Sequence, residues 1–262
     1  MITEAFRLAA RSIIRNKLRS FLTILGIVIG VAAVIAMVTV GQGSSKQVSA
    51  SVEALGSDVL ILRPGRREFG PPGAGGRARP FTLRDTEALA SLREVARIAP
   101  IATSTQTVVL GNANSSTQIT GSTPDWVEVS NWSLASGRNF TIAEDRAGLA
   151  VCLLGQTVRQ RLFGEADPVD QTVRIKSIAC QVVGVLAAKG AGSFGQDQDD
   201  VVVMPIRLLQ RRLAGDSDVS TMQISVTPGV AVSEATSAIE SLMRERRRLT
   251  IEQDNDFSLT DM

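Results

Sequence analysis

The chain of 262 residues contains no histidine and no tyrosine, and it has only two cysteines and two tryptophans. Lack of histidine removes the commonest general base at neutral pH and the commonest metal ligand. It also excludes a Ser-His-Asp set, and Ser193 has no lysine three positions on to make a Ser-x-x-Lys pair. No cysteine spacing resembles a zinc site. The formal net charge is only +2, so the basic excess that nucleic-acid binding draws on is missing. The stretch PGRREFGPPGAGGRARP is rich in glycine and arginine, but it lacks the Gly-Lys-Ser/Thr ending of a phosphate-binding loop and reads as a surface loop. Catalysis, metal chemistry and nucleic-acid recognition therefore all lack their usual residues.

What the chain does have is one long apolar run. Phe21 to Val40, FLTILGIVIGVAAVIAMVTV, carries no charge. At ~1.5 Å per residue a helix of that length spans ~30 Å, the thickness of a bilayer's hydrocarbon core. It is longer than the ~7–15 apolar residues of a signal peptide, and VTVGQGSS offers no small-residue cleavage pattern. An uncleaved membrane anchor is expected. Before the run stand Arg7, Arg11, Arg15, Lys17 and Arg19 against Glu4 alone. Basic flanks stay in the cytoplasm, so the N-terminus is expected inside and the main domain outside, in the periplasm or extracellular space.

Ile2, Phe6, Ala9, Ala10, Ile13 and Ile14 recur at helical spacing. Residues 1–17 are expected to form an amphipathic interfacial helix whose basic stripe faces lipid headgroups. Gly26, Gly30 and Ala33 put small side chains on one face of the anchor, which suits close helix packing in lipid. Val48, Val52 and Leu55 continue the helical spacing to a stop at Gly56, so 18–56 reads as membrane helix plus stalk.

Beyond the stalk, hydrophobic content of 44% over the chain is ample for a packed core. DVLILR reads as a strand. Thr82 and Asp85 form a capping-box variant that opens a helix, and a strand then runs to the turn GNANS. The tail repeats the order: the strand VSTMQISV, a helix capped by Ser233, and the short strand DFSLT. The arginines 244 and 246–248 read as a solvated helix end suited to the negative pole of the helix dipole. Two β-α-β halves in one sheet give an α+β fold of split β-α-β type over 57–110 and 215–262, with a strand-rich insert over 111–214.

Cys152 and Cys180 lie in two stretches that both read as strands. If the strands pair, a disulfide adding ~3 kcal/mol is open to them. Two buried free thiols are equally compatible with these apolar settings. Asp197, Asp199 and Asp200, with Phe194, fall in the loop KGAGSFGQDQDD. Calcium ligation would need more oxygens, so the loop reads as a solvated turn or a partner-docking loop. Trp126 and Trp132 read as core packing or a ligand cage.

Several of these stretches, in order, resemble one family. EAFRLAARSIIRNKLRSFLTILGIVIGVAAVIAMVTVGQG followed by SVEALGSDVLILRPG is similar to the start of the membrane half of MacB-like ABC transporter permeases, which are relatives of the FtsX and lipoprotein-releasing permeases. GSTPDWVEVSNWSLASGRNFT, VCLLGQTVRQRLFGEADPVDQTVRI, VVGVL and DDVVVMP resemble further segments of that family. Asp170 stands where the family often has glycine.

The resemblance implies a permease subunit in the bacterial inner membrane that works as a homodimer. The ATPase, with its ATP and magnesium, would be a separate chain, so no cofactor is expected in this one. The family's three further membrane helices would begin at residue 262, so the chain is expected to be either a fragment or a degraded permease. The stalk would pass ATP-driven motion to Porter-like (57–110, 215–262) and Sabre-like (111–214) subdomains, which move substrate outward. A periplasmic adaptor and a TolC-like duct are partners in exporter members. On the residues alone, a single-span sensor or scaffold without transport remains the alternative.

Overall fold

Along the described strands the apolar side chains alternate between two faces of one sheet. The computed structural model describes Leu18, Phe21, Leu22, residues 25–35 and Met37, then residues 59–65, 79–192 and 195–261. The chain divides into two units, Met1–Glu53 and Ala54–Met262. In the first, residues 25–35 are helical with exposed side chains. Among the described residues, no helix is long and apolar enough to cross a membrane.

Among its described residues the second unit has ten strands: β1 (Val59–Pro64), β2 (Val95–Leu110), β3 (Ala113–Ser122), β4 (Leu134–Gly137), β5 (Val151–Leu154), β6 (Thr172–Ile175), β7 (Ile178–Leu186), β8 (Val201–Pro205), β9 (Thr221–Val226) and β10 (Phe257–Asp261). Its helices are α1 (Leu83–Leu89), α2 (Trp126–Val129), α3 (Ile142–Ala147), α4 (Gln156–Phe163), α5 (Ile206–Leu209) and α6 (Val232–Arg247). A π-helical turn, Gln210–Ala214, extends α5.

The strand order is β10-β1-β9-β2-β3-β8-β5-β7-β4, with β6 paired to both β2 and β7. In its first four strands two β-α-β units interleave. β1 and β2 flank β9, while β9 and β10 flank β1, and every neighbour pair is antiparallel. This is the pairing of a split β-α-β fold. β2 is sixteen residues long and serves both ends of the sheet. Residues from Val95 to Ile101 pair with β9, and those from Ala102 to Leu110 pair with β3.

Period-two alternation explains why the core has two parts. Leu60, Cys152, Leu154, Cys180, Val202 and Met204 join the larger cluster, which also receives Ala235, Ile239 and Met243 from α6. Their strand neighbours Val59, Val151, Leu153, Val201 and Val203 join a second cluster with Trp126, Phe140 and Leu186. The helix spacing of four places the three α6 residues on one stripe.

One local expectation needs correction. Ser233 lies inside α6 rather than capping it; the N-cap position is Ala231, in extended conformation, and the Ser233 carbonyl accepts a bond from the Ser237 hydroxyl at 2.9 Å. The helix starts earlier because hydrophobic contact, not a side-chain cap, fixes its entry: Val232 packs against the core. Asp170 has φ of 63°, in the left-handed region where glycine is free and Asp is tolerated. Its N–H donates to the Val182 carbonyl at 2.8 Å, tying the turn before β6 to β7.

Candidate functional site

Between β7 and β8 the chain makes a loop that is organised around one buried carboxylate. Asp199 is only 6% exposed. Its Oδ1 accepts the Lys189 backbone N–H at 2.9 Å and its Oδ2 accepts that of Gly190 at 3.0 Å. The Asp199 N–H in turn donates to Asp197 Oδ1 at 2.9 Å, and the Thr157 hydroxyl donates to Asp197 Oδ2 at 2.7 Å. Asp200 accepts from Arg161 Nη1 at 2.8 Å. The expectation of a solvated acidic turn is thus corrected at Asp199, whereas Asp197 is exposed. Asp199 and Asp197 give both carboxylate oxygens to backbone N–H groups or the Thr157 hydroxyl, because a tight loop next to the sheet must satisfy its own donors, while Asp200 Oδ1 is buried without a hydrogen-bond partner among the described residues. Gly155 makes the approach feasible, since a Cβ there would collide with the Asp199 carbonyl. Phe194 lies outside the described residues.

The same loop carries Lys189, which no motif or spacing singles out. Its Nζ donates to the Ser130 carbonyl at 2.6 Å and sits 4.7 Å from the centre of the Trp132 ring. Trp132 stacks on Trp126 with centroids 6.0 Å apart. Burial pushes the Lys189 ammonium below its ordinary range, against the pull of Asp199. Trp126 is 7% exposed and belongs to the second core cluster. The pair therefore acts as packing that locks α2 to the acidic loop, with a cation–π contact closing the group.

Cys152 and Cys180 come together on the paired strands β5 and β7, both buried as free thiols. Cys152 Sγ donates to the Gln181 carbonyl at 3.6 Å. Burial pushes the Cys152 thiol well up, and Cys180 beside it adds to the effect. Among the described residues no group of histidine, cysteine, aspartate or glutamate is arranged to hold a metal ion.

At the C-terminal end of α6 the expectation of solvated arginines is corrected for Arg244 and Arg247 and in part for Arg246, while Arg248 is exposed as expected. Arg244 donates to Asn255 Oδ1 at 2.6 Å and to the carbonyls of Thr250 and Gln253 at 2.6 and 3.0 Å. The side chain of Arg247 is 8% exposed, pairs with Asp256 at 2.6 Å and stacks 4.6 Å from the Phe81 ring centre. Arg246 reaches across to Asp85 at 2.8 Å. These arginines stitch the helix end to the segments on either side of it. Sequence periodicity missed this because each of these partners is either far away in the chain or in the irregular stretch after the helix.

Of the N-terminal candidates, Gly26, Gly30 and Ala33 lie in the helical residues 25–35, and a Cβ built on either glycine would touch nothing within 4 Å. Arg7, Arg11, Arg15, Lys17 and Arg19 lie outside the described residues.

Comparison with known proteins adds the decisive observation. The MacB-like periplasmic core domain matches residues 20–242. The chain belongs to this family. Over 262 residues it is 36% identical to the macrolide export ATP-binding/permease protein MacB of Rhodospirillum rubrum, covering 99% of this chain and 40% of that protein. It is also 36% identical over 259 residues to the pyoverdine export ATP-binding/permease protein PvdT of Pseudomonas entomophila, covering 98% of this chain and 38% of that protein. The chain thus spans about two-fifths of the length of these relatives.

In structure it is similar to the periplasmic region of MacB from Actinobacillus actinomycetemcomitans, with a TM-score of 0.67 at 17% identity over 80% of this chain and 91% of that one. The extracellular domain of the noncanonic ABC-type transporter YknZ from Gram-positive bacteria gives 0.63 at 15% identity over 78% and 100%. At such identities the likeness is one of fold. It agrees with the mixed α/β architecture described above.

Proposed function

We propose that this chain is a non-catalytic permease subunit of an ABC export system, with its mixed α/β domain on the periplasmic or extracellular face. The observation that carries this reading is the span of the family match: one contiguous stretch, 20–242, joins the apolar run to the outer domain. In this reading residues 18–56 cross the membrane and rise as a stalk, and residues 1–17 lie along the inner interface with the basic stripe Arg7, Arg11, Arg15, Lys17 and Arg19 on anionic lipid. Gly26, Gly30 and Ala33 form the packing face toward a second copy. A separate ATPase chain supplies ATP and magnesium, and its closing moves the helices of a homodimer. Residues 57–110 with 215–262 act as the Porter-like subdomain and 111–214 as the Sabre-like insert. An adaptor and a TolC-like duct complete the path outward.

A mechanical role suits a domain whose two ends share β2. A continuous sixteen-residue strand transmits displacement without a flexible joint. The test is reconstitution of the full chain in lipid nanodiscs with the ATPase encoded beside it. Formation of a stable complex, and a several-fold change in ATP turnover when the chain is present, are the expected results. A chain that neither binds an ATPase nor alters its turnover would instead be a single-span scaffold.

A further inference from the structure

Around the end of α6 and the start of α1 lies an open cleft of about 470 Å³, a size in the range of small-molecule sites. Its lining includes four arginines, Arg79, Arg84, Arg246 and Arg247, with Asp85 and the rim residue Ser217. Two of the four are braced. Arg247 is held by Asp256, by the Arg79 carbonyl at 2.7 Å and by the face of Phe81. Arg246 spends Nε on Asp85 Oδ1, and its two terminal nitrogens have no hydrogen-bond partner among the described residues. The side chains of Arg79 and Arg84 likewise have none among those residues, and Arg84 is exposed.

The nearby carboxylates do not balance this charge. Asp256 is engaged with Arg247, and Asp85 is shared between Arg246 and the Thr82 N–H at 2.9 Å. Asp216, next to Ser217, turns back to the Asp218 N–H at 3.2 Å. The capping box of α1 engages the Thr82 and Asp85 N–H groups, and recognition rests on the guanidinium forks. Like charges gathered in a concave wall focus a positive field. Planar guanidinium groups match carboxylate and phosphate oxygens in pairs.

We propose that this cleft binds the oxyanion of a small molecule, a carboxylate or phosphate group carried by a soluble metabolite or by a lipid headgroup. The cleft's volume exceeds one oxyanion and leaves room for the organic part that bears it. The site does not depend on the transport reading above: it can be present or absent in a chain that binds an ATPase.

The experiment uses the full chain in non-ionic detergent and titrates citrate, glycerol 3-phosphate and dihexanoyl phosphatidic acid by calorimetry at low salt. Saturable binding is expected for at least one probe. It should weaken at least tenfold in the double variant Arg79→Glu with Arg84→Glu, which removes no contact seen among the described residues. Arg174→Glu with Lys176→Glu, the same charge change in the exposed β6–β7 hairpin, should leave binding within twofold. Binding of the soluble anions marks a metabolite site; binding of the phosphatidic acid alone marks a headgroup site. Binding to none of the three, or equal weakening by both double variants, overturns the proposal.

Discussion

Arg138 holds Glu144 with both arms of its guanidinium, Nη1 to Oε2 at 2.9 Å and Nη2 to Oε1 at 2.8 Å. The same carboxylate accepts the Thr141 N–H at 2.7 Å and closes the capping box of α3. One ion pair thus joins the end of β4 to the start of a helix. Arg138 can reach that place because Gly184 on β7 has no Cβ, which would lie 2.5 Å from the Arg138 carbonyl.

This pairing sets a pH dependence. The Arg138 hydrogen bonds, and after them those of Thr141, lower the Glu144 carboxyl from 4.5 to about 2, against the opposing effect of burial. A carboxylate whose folded pKa is depressed adds stability above its unfolded pKa and loses it as pH falls through the folded value. Glu144→Gln should therefore destabilise the chain at pH 7. The gap to the parent should begin to narrow near pH 4.5 and close by about pH 2. Urea midpoints across that range check it; a gap independent of pH would assign the loss to packing alone.

Asp199 is the strut of the β7–β8 loop. Asp199→Ala leaves the Lys189 and Gly190 N–H groups without their acceptor. Lys189 is half-buried and Gly190 exposed, so water replaces part of the lost bonding and the change should cost about 1 kcal/mol. Asp199→Asn retains one carbonyl acceptor and should lose less. Gly155→Ala, which drives a Cβ into the Asp199 carbonyl, should disturb the same loop. Thermal unfolding of the three variants should rank them, with the asparagine variant closest to the parent.

The two thiols make a third prediction. Cys152 and Cys180 have no exposed surface, and a thiol pushed up by burial carries little thiolate at neutral pH. A thiol reagent should modify neither in the folded chain and both in strong denaturant. Two equivalents released only on unfolding establish free thiols, whereas none released before reduction would establish a disulfide.

The strands DVLILR, VSTMQISV and DFSLT, the Thr82–Asp85 capping box and the β2–β3 hairpin turn were legible in the sequence because each rests on interactions a few residues long. Absence of histidine closed off whole classes of chemistry in the same local way. The burial of Asp199 and the contacts of Arg244 and Arg247 were not legible, since charge clusters are solvated unless a fold brings donors and acceptors to them. Lys189 meets Trp132, and Arg246 meets Asp85, across separations that no periodicity reports.

Short apolar stretches, turn residues and the Thr82–Asp85 pair determined by themselves where several strands and a helix of this chain lie. Tertiary structure alone decided that Asp199 is buried beside its own loop and that four arginines share one cleft. The reason is physical: side-chain period is a property of the backbone, whereas partner choice depends on which distant groups the closed core leaves within hydrogen-bonding reach.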